Sequence, residues 1–103
     1  MFEVIETTSE RIYIIKCSNI GPDIKLFEEN ADEFIKSDHR NMIIDLKEQE
    51  IICSLLLAAL IRIKRGLSLN QRELLIRNCN PQMYRCIELA GLESFFSFCS
   101  YTL

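Results

Sequence analysis

The chain has 103 residues, 49% of them apolar and 26% charged, with a formal net charge of −3. That composition excludes intrinsic disorder and predicts a single domain over residues 1–103 with one core of its own. The acidic balance argues against sequence-independent nucleic-acid binding, so no nucleic-acid partner is expected.

The N-terminus, MFEVIETTSE, has no basic region followed by an apolar one, so it does not read as a secretory signal. The longest apolar run, Ile51 to Ile61, is short of the roughly 20 residues that span a bilayer. A cytoplasmic protein with no direct membrane insertion is the expectation.

Phe2–Ile5 and Arg11–Cys17 read as strands joined through the polar ETTSER turn into a hairpin. Gly21 and Pro22 then break the pattern. Over Asp23–Lys36, apolar Ile24, Phe27, Ala31, Phe34 and Ile35 recur at helical spacing, with Glu28, Glu29, Asp32 and Glu33 opposite. Asn41–Leu46 is a short apolar run of the kind buried on both faces of a sheet. Ser54–Gly66 reads as a helix from its length and its Leu and Ala content. Glu73–Asn78 reads as a strand. Asn80-Pro81 then opens a helix over Pro81–Ala90 with a capping side chain and a proline at the first helical position. Gly91 stops that helix, and Leu92 is placed for the usual hydrophobic contact. SFFSFCSY is a final strand or an extended tail.

The order β-β-α-β-α-β-α-(β) predicts an α/β fold, a small mixed and largely parallel sheet with helices packed on it. Binding sites in such folds lie beyond the carboxyl ends of the strands, where the next helices begin. That points to the segment EQEIICS, between Leu46 and the helix starting at Ser54. Projected at 100° per residue, that helix puts Leu57, Leu60 and Ile61 on its core side, with Leu56, Ile63 and Leu67 beside them. Leu55, Ala58, Arg62 and Arg65 fall on the opposite side.

Catalytic and metal chemistry find little footing. The five cysteines are widely spaced with no CxxC, and His39 is the single histidine, so no metal site and no cofactor are expected. Cys53 precedes a helix N-terminus, which favours a thiolate, but a nucleophile also needs a base, and His39 lies a strand's length away. No glycine-rich phosphate loop is present. Arg62, Lys64 and Arg65 form a basic cluster that reads as cations near a helix C-terminus rather than an anion site. The chain is expected not to be an enzyme.

Two segments, NMIIDLKEQEIICSLLLAALIRI and NPQMYRCIELAGLESFF, resemble the STAS domain, the fold of anti-sigma-factor antagonists and of the cytoplasmic tails of sulfate transporters. The family has an apolar strand ending in Asp-Leu or Asn-Leu, a six-residue loop, then Asp-Ser-Ser-Gly opening a helix. Asp45-Leu46 matches the strand end, with six residues, Lys47 to Ile52, before Cys53. Asn80-Pro81 and Ala90-Gly91-Leu92 match the family's last helix. Asp-Ser-Ser-Gly is replaced by Cys53-Ser54-Leu55-Leu56. The resemblance implies that the second serine, which accepts phosphate in the antagonists, corresponds to Leu55. Ser54 corresponds to the first serine, which in the family is not usually the phosphate acceptor, and it is the candidate phosphorylation site that the resemblance leaves. The acid usual in the loop before the first helix is also missing, since CSNIGP stands in its place and Asp23 follows a few residues later.

A phosphate brings nearly two negative charges and opposes docking inside a dry interface. A leucine cannot be charged, and burying it favours association by about 1.5–3 kcal/mol before entropic costs. The resemblance therefore implies a regulatory module that binds protein partners through Ser54, Leu55, Ala58 and Arg62. The partner it implies is a kinase-like anti-sigma factor or another signalling protein. The alternative is a non-enzymatic STAS subunit of an ABC-type lipid transporter, with the transporter ATPase as partner.

Overall fold

The computed structural model describes residues 2–16 and 20–99. Its elements run β1 (Phe2–Glu6), β2 (Glu10–Ile15), α1 (Ile20–Ser37), β3 (Asn41–Asp45), α2 (Ser54–Leu69), β4 (Leu74–Arg77), α3 (Pro81–Leu89) and β5 (Ser97–Phe98). The strands form one sheet in the order β1-β2-β3-β4-β5. β1 pairs antiparallel with β2, and every later pair is parallel. This is the expected mixed, largely parallel α/β fold, with Asn41–Asp45 at its centre.

Strand alternation divides the residues between the two sheet faces. Tyr13, Ile15, Met42, Ile44, Leu74 and Ile76 face the helices and join their apolar residues in one buried cluster. Ile12, Ile14 and Ile43, with Leu75 against them, form a smaller cluster of strand residues on the other face. At the amino ends of the strands, the buried Arg72 donates to the carbonyls of Ile35 and Arg40 at 2.9 and 2.8 Å, closing the end of α1 onto β3 and β4.

Element limits differ from the expected ones in instructive places. α1 begins at Ile20, so Gly21 and Pro22 lie within its first turn. First-turn N–H groups have no intrahelical partner, so a proline costs nothing there and does not break the helix. β2 ends at Ile15, and Cys17 lies outside the described residues, as do Ser100 and Tyr101 of the tail. α2 runs three residues past Gly66, which is a place of close approach rather than a stop. A Cβ there would lie 3.2 Å from Ile35 Cδ1 of α1. α3 has the capping expected of it. Asn80 Oδ1 accepts from Met83 N at 2.8 Å, Pro81 opens the helix, and Gly91 has φ +75°. The N–H groups of Gly91 and Leu92 return to the carbonyls of Glu88 and Ile87, a Schellman closure.

Candidate docking site

β3 and β4 end side by side, and α2 and α3 begin beside those ends. Asp45, at the last position of β3, has no solvent exposure. Its Oδ1 accepts from Lys47 N and Asn78 Nδ2, each at 3.0 Å, and its Oδ2 from Arg77 Nε at 3.0 Å. Burial alone would push this carboxyl up. The hydrogen bonds from Asn78, the Lys47 N–H and Arg77 outweigh it and hold the group below its ordinary value. Asn78 makes its contact from a left-handed backbone, φ 59°, which asparagine tolerates better than most residues. Asp45 thus ties the β3–α2 and β4–α3 loops together.

α2 starts with an open end. Cys53 is its cap residue but makes no side-chain capping bond, and the first turn carries no acid. Ser54, Leu55 and Ala58 are exposed, with Leu55 at 52%. The helix buries Leu56, Ala59, Leu60, Ile63 and Leu67. The core stripe is therefore turned from the one centred on Leu57, Leu60 and Ile61. Leu57 and Ile61 are half-buried on its flank. The reason is that Ala59 and Leu56 complete an i, i+3, i+4, i+7 stripe that leaves Leu57 one step off axis.

Leu55 lies seven residues before Arg62, on the same side of α2. Arg62 is exposed yet engaged with α1, its guanidinium 2.9 Å from Glu28 and 3.3 Å from Asp32. The stripe that contacts α1 lower down thus ends at Leu55 in water. Arg62 is held by α1, whereas Ser54, Leu55 and Ala58 stand clear beside the helix N-terminus. Lys64 leaves the basic cluster altogether and sits over the Phe95 ring at 5.9 Å.

Ile51, in the loop just before α2, is 63% exposed. Nothing in the sequence singles it out, because loop residues carry no periodicity that tells inward from outward.

Cys53 and His39 lie at opposite ends of β3, so the thiol has no histidine base. Cys79 is pushed up to about 11 by burial, which keeps it a protonated thiol at neutral pH. Among the described residues no three His, Cys, Asp or Glu side chains gather as metal ligands. No helix among them is long and apolar enough to cross a membrane.

The family model of the STAS domain matches residues 4–102, and the chain belongs to that family. Several solved structures share its fold. A single-residue variant of RsbS from Moorella thermoacetica superposes with a TM-score of 0.84 at 14% identity, covering 98% of this chain and 87% of that one. A putative anti-sigma factor antagonist from Thermotoga maritima gives 0.79 at 18% identity, covering 97% and 86%. The phosphorylated form of the Bacillus cell-fate determinant SpoIIAA gives 0.73 at 12% identity, covering 97% and 92%. A search of curated protein sequences finds no match.

Proposed function

We propose that this chain is a non-enzymatic, cytoplasmic regulatory module of the anti-sigma-factor-antagonist kind. It docks on a kinase-like anti-sigma factor or a related signalling protein through the first turn of α2. The observation that carries this reading is Leu55, a large apolar side chain 52% exposed at an uncapped helix start. It stands where family members of this kind carry the serine that accepts phosphate. Ser54 and Ala58 complete the contact, and Arg62 braces α2 against α1 behind it.

With Leu55 in place of the acceptor, the interface has no charge switch at its centre. Association is then governed by the abundance of the two proteins and not by a phosphorylation cycle at this position. The test is a bait comparison from native cells. Tagged wild type should co-purify a partner that tagged Leu55→Asp does not retain. Equal recovery of the same partner by both baits would remove Leu55 from the interface.

A further inference from the structure

The β3–α2 loop has no regular structure, yet its chain is pinned on both sides of Ile51. Gln49 has 8% exposure, and its Nε2 donates to the Ile51 carbonyl at 2.9 Å. Asn80 Nδ2 donates to the Glu50 carbonyl at 3.2 Å, while its Oδ1 caps α3 through Met83 N. At the start of the loop, Lys47 N–H is held by Asp45, and Gln49 N–H donates to the Leu46 carbonyl at 3.1 Å. Here two amide side chains hold successive carbonyls, and Ile51 remains 63% exposed.

We propose that Asn80 and Gln49 are positioning residues that hold Ile51 out as a second apolar contact of the docking surface, four residues ahead of Leu55. Asn80 serves two elements at once, because one side-chain atom starts α3 and the other restrains the loop. The α3 N-terminus and the docking loop are thereby a single unit, fastened by a side chain that lies 30 residues from its loop partner. The docking role of Ile51 rests on the function proposed above, whereas the positioning itself does not.

The chain contains no tryptophan, so Ile51→Trp supplies a lone fluorescent reporter in the loop. Its anisotropy decay is measured in otherwise wild-type protein and with Asn80→Asp or Asn80→Ser added. Both replacements keep a capping oxygen for Met83 N–H but lose the amide donor to Glu50. The expected result is slow rotation with the whole molecule in I51W, and a drop in anisotropy with a fast local component in each double variant. Protection of the Met83 amide should stay unchanged. A reporter that already moves fast with Asn80 intact would overturn the proposal. So would a reporter that stays slow in both double variants. Should the loop loosen in N80S while the bait still recovers the wild-type partner in full, Ile51 is not part of the docking surface.

Discussion

Leu55 is accommodated at the surface because its place on α2 makes no demand on the core. Asp45 is the opposite case. Its carboxylate is buried but served by three donors, Lys47 N from its own loop, Arg77 from the end of β4 and Asn78 from the loop after it. Its folded value lies below the ordinary one, so its stabilisation is complete above the unfolded value near 3.9 and is lost as pH falls through the lower folded value. Asp45→Asn should cost about 2 kcal/mol at neutral pH by setting an amide donor against Arg77. In urea titrations the gap to wild type should narrow below about pH 4. A gap that stays constant with pH would mean that charge plays no part in the site. Gln71 gives a second residue-level test. It closes the end of α2 with φ 60°, its N–H bound to the Ser68 carbonyl at 3.0 Å. Gln71→Gly relieves left-handed strain of about 1–2 kcal/mol and gives back part of it as unfolded-state entropy. A net gain of about 0.5 kcal/mol, near 3 °C in Tm, is expected by calorimetry. A lower Tm would show that the Gln71 side chain contributes more than its backbone costs.

Elements were legible where their signals are local. The limits of α3 follow from Asn80, Pro81 and Gly91, each acting within a few residues of its own position. The sequence points to too late a start for α1 because glycine and proline look like punctuation, although both are accommodated within its first turn. Gly66 looks like the end of α2 for a similar reason, although the helix runs on to Leu69. The missing side chain of Gly66 answers to Ile35 on another helix, a contact that no window of sequence contains. Gly66→Leu should wedge α1 from α2 and lower stability by about 1–2 kcal/mol in denaturant unfolding. A neutral result would mean that the two helices can shift apart at no cost.

At the scale of the molecule, the order of strands and helices predicts a mixed, largely parallel sheet but leaves its strand order and its last strand open. Each crossover carries the chain to an adjacent parallel strand, and the run Asn41–Asp45 had to be central because four of its five residues are apolar or buried on both sides. The site was legible in part. Helical phase placed Leu55 and Ala58 outward. It could not show that Arg62 is engaged by Glu28 and Asp32, or that Asn80 reaches Glu50, because both pairings join elements about 30 residues apart. What the fold builds is a rim of two linked loops and two helix starts, with apolar Ile51 and Leu55 exposed on it.

The central claim is that this rim, with Leu55 on it, is a docking surface and not a structural accident. The most direct measurement is a calorimetric titration of the co-purified partner into wild type and Leu55→Asp, with thermal melts of both. The melts should agree within about 0.5 kcal/mol, since the site is exposed and an acid in a first helical turn is favourable. The affinity should fall at least about tenfold, because an unpaired carboxylate would be buried in the interface. A normal melt with undiminished affinity would contradict the account, and so would a Leu55→Asp variant that fails to fold.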